Sequence, residues 1–101
     1  MSAIEARLAE LGISIPPVTK PVAAYVPAVA SGNLVMTAGQ LPFVDGALPA
    51  TGKVGAEVAA DDAAGYARTA VLNALAAVQG VIGSLDRVTR IVKVVVFVAS
   101  A

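Results

Sequence analysis

The stretch VAAYVPAVASGNLVMTAGQLP, Val22 to Pro42, decides the fold. Two runs rich in Val, Ala and Leu flank Ser31-Gly32-Asn33, a trio of turn-forming residues. That pattern predicts two strands joined by a tight turn. Pro27 has no N–H to give to a ladder, so its strand lies at an edge or carries a bulge there. The second run halts at Ala38-Gly39-Gln40, a bare glycine and an amide side chain where strands more often end on Asn, Asp or Ser. Glycine leaves its backbone N–H approachable, and an amide free at a strand end can hold a carboxylate oxygen. Gln40 adds a donor and an acceptor beside it. From residue types alone, an ordinary turn glycine is the stronger reading.

Outward from this stretch, Phe43–Leu48 predicts a small hairpin-like excursion on Asp45-Gly46. From Asp61 to about Ile82 the pattern takes the helical period. Asp62, Gly65, Thr69, Asn73 and Gln79 fall on one stripe; Ala67, Val71, Ala74, Leu75, Val78 and Ile82 fall on the other, the expected inner face. Asp61 and Asp62 sit where the helix dipole favours acids, and Gly80 and Gly83 mark the exit. RVTRIVKVVVFVASA, Arg87 to Ala101, is the strongest strand signal, since both alternating sets turn apolar after Lys93. Such a strand is expected to be central and covered on both faces. One long helix covers one face of the sheet, so association with further copies is expected to cover the other. Upstream, Ser2 and Glu5 fit a capping box that opens a short helix over Ser2–Leu11, with Gly12 as its stop. Ile13–Pro21, ISIPPVTKP, is a proline-punctuated arm.

With 101 residues the chain is one domain, 1–101. Hydrophobic residues make up 57% of it and aromatics only 4%, against a usual apolar share of about 45–50%. The excess is small Ala and Val. Seven basic and seven acidic residues cancel, which argues against a nucleic-acid partner, normally met by a basic patch. So apolar and neutral a chain is expected to hide surface against copies of itself. There is no Cys and no His, which removes the thiol nucleophile, the commonest general base and the usual zinc ligands. Neither metal nor cofactor is expected. With Glu5, Arg7 and Glu10 in the first turns no signal peptide is expected, and the apolar run with Lys93 is too short for a membrane span. The expected compartment is cytoplasmic, with no membrane partner. The chain stops directly after its best strand, so it is expected to be a shortened form of a longer protein.

Other motifs carry less. Thr51–Gly55, TGKVG, lacks the spacing of a phosphate loop and reads as an ordinary loop. Glu57, Asp61 and Asp62 hint at an acid cluster, but a helix start accounts for both aspartates. Arg87, Arg90 and Lys93 recur every three residues, alternate faces on a strand, and are expected to solvate its entry. Tyr25 taken alone is a half-buried packing residue.

Taken together, the Val22–Pro42 stretch, ATGKVGAEVAADDAAGYARTAVLNALAAV (Ala50–Val78) and GSLDRVTRIVKVVVFV (Gly83–Val98) resemble the Rid family, the reactive-intermediate deaminases, also called the YjgF family and often described as endoribonucleases. The likeness covers a core of about 21–98, beyond an N-terminal helix and arm over 1–20. An aromatic, Tyr25, precedes the Gly-Gln by fourteen residues, and a hydrophobic strand leads into that Gly-Gln.

The resemblance implies an α+β sandwich like chorismate mutase, a mixed sheet with helices packed on one face and a homotrimer formed through the other. It implies active clefts between subunits, where water hydrolyses a small imine or enamine acid such as 2-aminoacrylate to a keto acid and ammonia. Gly39 would then offer its amide to the substrate carboxylate, Tyr25 would lie along the cleft, and Gln40 would support the strand end. Where the family commonly carries Ser before the glycine this chain has Ala38, one hydroxyl fewer. The family's carboxylate-binding arginine and water-positioning glutamate would lie beyond Ala101, and Arg68, Arg87 and Arg90 match other positions. The alternatives are a non-enzymatic, regulatory keto-acid binder on the same fold and, ranked last, an endoribonuclease.

Overall fold

In a computed structural model describing residues 3–21 and 23–101, the order of elements is helix, hairpin, helix. Strands β1 (Ala28–Ser31) and β2 (Leu34–Thr37) pair antiparallel, Ala28 opposite Thr37 and Ser31 opposite Leu34. Gly32 opens the two-residue loop at φ 56 while Asn33 stays out of the positive-φ region. This fits the II′ turn, with glycine first, whose twist suits a hairpin. Pairing continues one step past β2, because the Ala38 N–H donates to the Pro27 carbonyl at 2.8 Å. Pro27 thus contributes the one ladder group it has. The first strand is shorter than the sequence predicts, and Tyr25 lies in the bends before it. Its N–H donates to the Ala23 carbonyl, a three-residue turn that takes the chain out of strand geometry before the proline.

The Asp45-Gly46 excursion closes as expected. Val44 and Ala47 exchange both backbone hydrogen bonds, and Asp45 (φ 51) and Gly46 (φ 81) supply the two left-handed residues of a I′ turn.

Helix α1 (Ala3–Glu10) ends in a Schellman motif: Gly12, at φ 69, donates to the Ala9 carbonyl and Ile13 to that of Leu8. The capping role expected of Ser2 lies outside the described residues. The first amides of α1 meet a carboxylate from the far end of the chain, since Asp86 accepts from Ala3 N–H at 2.9 Å and Ile4 N–H at 2.7 Å.

Helix α2 (Ala60–Ile82) lies against the hairpin, with Asp61 and Asp62 in its first turn. Its buried face is rotated from the expected stripe. Ala67 and Val71 are exposed and Ala74, Leu75, Val78 and Ile82 half-buried, while Ala76, Ala77 and Asn73 are buried. Alanines at the contact let the two backbones approach closely, and Asn73, expected on the polar stripe, finds carbonyls to satisfy there. Gly83 ends α2 at φ 84, its N–H on the Gln79 carbonyl. Arg87, in a 3₁₀ turn over Leu85–Arg87, donates to the Ile82 carbonyl at 3.0 Å. It closes the helix C-terminus and does not sit on a strand.

The largest departure concerns the third strand. Residues 88–98 join no ladder among the described residues, and Phe97 is 93% exposed. Only beyond them does Val54 bridge in parallel to Ser100, through hydrogen bonds with Ala99 and Ala101. Apolar composition records that a segment needs cover; it does not bring a neighbour alongside. The accessible surface is accordingly 7161 Å², against about 5,200 Å² for a closed monomer of this mass. Among the described residues no helix is long and apolar enough to cross a membrane.

Candidate functional site

The arm, the bends before β1 and the segment leaving β2 meet around a cleft of about 40 Å³. A single water needs roughly 10–15 Å³ of such space, so the cleft suits a group the size of a carboxylate with its waters. Tyr25, Gly39 and Gln40, singled out from the sequence, all line it. Ala38 does not: its N–H is engaged with Pro27 and its carbonyl accepts a long contact, 3.4 Å, from the Gln40 side-chain amide. Gln40 thereby folds back over the glycine between them.

Gly39 is where the ladder runs out. Ala38 still donates to Pro27, but among the described residues the Gly39 N–H has no acceptor. Its φ lies outside the left-handed region, and a Cβ built there would meet nothing within 4 Å. The glycine is therefore not demanded by its own conformation or by crowding inside the chain. A bare position with an unclaimed donor at a cleft wall suits the close approach of an acceptor.

Residues that sequence reasoning did not assign to the site also shape this cleft, Asn73, Thr19 and Lys20 among them. Asn73, 2% exposed, donates from its side-chain amide to the carbonyls of Leu41 (2.9 Å) and Phe43 (3.1 Å). Leu41 and Phe43 both line the cleft, so α2 holds its floor. The available signal was a lone Asn amid the Ala and Leu of TAVLNALAAV. Thr19 and Lys20 reach the wall from the proline-rich arm. The arm is seated by Val18, whose Cγ2 lies 3.3 Å from where a Cβ of Gly80 would be.

No Asp or Glu lines the cleft, so Lys20 leaves it formally positive. Among the described residues Lys20 makes no ion pair, and its neighbour Thr19 is half-buried. Arg68, Arg87 and Arg90 do not reach the wall. Glu57 is occupied elsewhere, accepting from the Lys53 N–H at 3.1 Å across the TGKVG loop. That bond, followed by one from its own amide, holds its carboxyl below the ordinary value. Among the described residues no three His, Cys, Asp or Glu side chains gather around a point where an ion could sit. The arrangement can hold a small anion against a backbone amide; its described lining includes no carboxylate and no imidazole.

The family model described as YjgF/chorismate mutase-like, putative endoribonuclease matches residues 5–100. Protein TCP17 of Trypanosoma cruzi is 38% identical over 98 residues, 97% of this chain and 61% of that protein. A putative endoribonuclease from Shewanella oneidensis MR-1, solved by crystallography, matches with a TM-score of 0.78 at 32% identity, covering 85% of this chain and 57% of its own. A protein of unknown function from Agrobacterium tumefaciens matches with a TM-score of 0.76 at 39% identity, covering 88% and 54%. The chain thus spans little more than half the length of the relatives it matches.

Proposed function

The chain belongs to the YjgF/chorismate mutase-like family, and from that premise we propose that it serves hydrolytic deamination of small imine and enamine acids derived from amino acids. The 2-aminoacrylate type is the substrate class, and water is the only co-reactant. The observation that carries this reading is the unclaimed Gly39 amide on the wall of a small cleft that holds no acid. A backbone N–H donating to a carboxylate oxygen makes a charge-assisted bond, about twice as strong as a neutral one. Tyr25 flanks the ligand with its ring, and Gln40 steadies the backbone around the amide. Ammonia release from freshly generated 2-aminoacrylate, measured beside a keto-acid titration, tests the reading.

One observation favours a second outcome of that assay. Hydrolysis needs a group to position and deprotonate water, and the described cleft offers no carboxylate or imidazole for it. Binding without turnover would make these residues a keto-acid-binding, regulatory module. Ribonuclease activity, in the name of the Shewanella relative, ranks behind both. Seven cations balanced by seven anions collect phosphates poorly. RNA cleavage that persists through rigorous nuclease removal would reverse that order.

For assembly, the proposal is a homotrimer joined through the outer face of the hairpin. Its support is the apolar, exposed set Val29, Leu34 and Met36 on that face. A stable monomer by sedimentation at micromolar concentration would sink it.

A further inference from the structure

The family reading assigns the Gly39 amide, the Tyr25 ring and Gln40, and leaves the cation of the cleft unused. Lys20 lines the same cleft as Gly39, has no ion-pair partner among the described residues, and shares the cleft with no acid. We infer that Lys20 supplies a positive charge that pairs with the ligand carboxylate held by Gly39, so that the N-terminal arm contributes to the anion site. The inference rests on the reading of the cleft as a carboxylate site and goes beyond it by naming the charge and the element that bears it.

Local chemistry suits Lys20 to the task. It precedes Pro21, and a residue before proline is restricted to extended backbone, so the direction in which its stem leaves the chain is limited. Two residues earlier, the Val18 side chain lies beside α2, its Cγ2 3.3 Å from where a Cβ of Gly80 would be. The backbone is thus held on both sides of Thr19-Lys20, while the four-carbon stem carries a compact ammonium that adapts to the ligand. Thr19, half-buried on the same wall, adds a hydroxyl donor. Ammonium, hydroxyl and backbone N–H present donors only, or donors first, which selects a small monoanion over a neutral amide of equal shape.

The experiment uses the full chain with pyruvate as probe and pyruvamide as its neutral counterpart. Titrations compare wild type, Lys20→Gln, Lys20→Arg and Gly39→Val at low and high salt. Lys20 is exposed, so Lys20→Gln is expected to weaken pyruvate roughly two- to fivefold, the range of an exposed ion pair. It should also abolish the salt dependence of binding, since screening acts on that pair. Lys20→Arg should retain both the affinity and the salt slope, and pyruvamide should bind weakly and without one. Gly39→Val should lose affinity yet keep the slope. Should Gly39→Val weaken binding while Lys20→Gln binds like wild type with an unchanged slope, the role of Lys20 is overturned and the cleft reading survives. Should wild type bind no pyruvate, both fall together.

Discussion

The side-chain amide of Asn73 donates to the Leu41 carbonyl at 2.9 Å, joining the middle of α2 to the floor of the cleft. A second bond to the Phe43 carbonyl uses the same nitrogen, at 3.1 Å. Two donors on one planar group meet two acceptors two residues apart, and no other uncharged side chain except Gln offers that pair.

Asn73→Ala should therefore lower the free energy of unfolding by roughly 2–4 kcal/mol: two hydrogen bonds are lost and the Phe43 carbonyl is left wanting, while the Leu41 carbonyl keeps the Phe43 N–H. Asn73→Asp is the sharper test. At neutral pH it sets a buried carboxylate against two carbonyl oxygens, which raises the folded pKa above the unfolded one. Its stability should then be greatest in acid, where the protonated group can donate once, and fall as pH rises through the folded pKa. Denaturant midpoints of wild type and both variants at acidic and neutral pH decide it; an Asn73→Asp protein as stable as wild type at neutral pH contradicts the assignment.

Asn73 also shows where reading the sequence stops short. Helical periodicity treats Asn as surface, and nothing local reveals that its neighbours across the interface are the carbonyls of Leu41 and Phe43. The turns were legible because their chemistry is local: Asp45-Gly46, Gly12 and Gly83 each sit where positive φ is required. Residues 88–98 were legible as apolar and misread as paired, because pairing is a fact about another segment. The cleft was half visible. Gly39 and Gln40 break the strand pattern and draw the eye, whereas Lys20 looks like any cation on a proline-rich arm until the arm's path is known.

Glu57 ties the TGKVG loop shut through the Lys53 amide, and its carboxyl is held low chiefly by that bond. A depressed folded pKa contributes stability above the unfolded value and loses it as pH falls through the folded one. The loop is therefore expected to loosen only in acid, below the ordinary glutamate range. Nuclear magnetic resonance should show the Lys53 amide shift titrating with the Glu57 carboxyl, and Glu57→Gln should remove that titration. A Lys53 amide that ignores Glu57 protonation would show the bond absent in solution. Gly52→Ala should open the same loop at neutral pH, because its Cβ would lie 2.6 Å from the Glu57 Cβ.

Gly39→Val separates binding from folding. Open space surrounds the missing side chain and the backbone is not in the left-handed region, so the variant should keep wild-type Tm. Its methyl groups stand where a carboxylate must approach the amide. Losing that charge-assisted bond costs about 1.5–3 kcal/mol, roughly tenfold to a hundredfold in pyruvate affinity. Tyr25→Phe should cost less, because the ring remains on the cleft wall and only the hydroxyl goes. Unaltered affinity in a folded Gly39→Val protein removes Gly39 from the site.

Gly80→Ala sets helix stability against the seating of the arm. Gly80 lies in α2 with no positive φ, and alanine there should favour the helix by about 0.5–1 kcal/mol. The new Cβ would stand 3.3 Å from Val18 Cγ2, so Val18 must yield by a few tenths of an ångström and carry Thr19 and Lys20 with it. Tm is expected to hold or rise while pyruvate affinity falls by less than the two- to fivefold expected of Lys20→Gln, a combination that general damage to the fold does not produce. Val18→Ala in the same chain removes the crowding methyls and should restore part of the affinity. The double-mutant cycle measures that coupling directly. Strictly additive effects on pyruvate binding would mean that the Val18–Gly80 contact does not place Lys20 at the cleft.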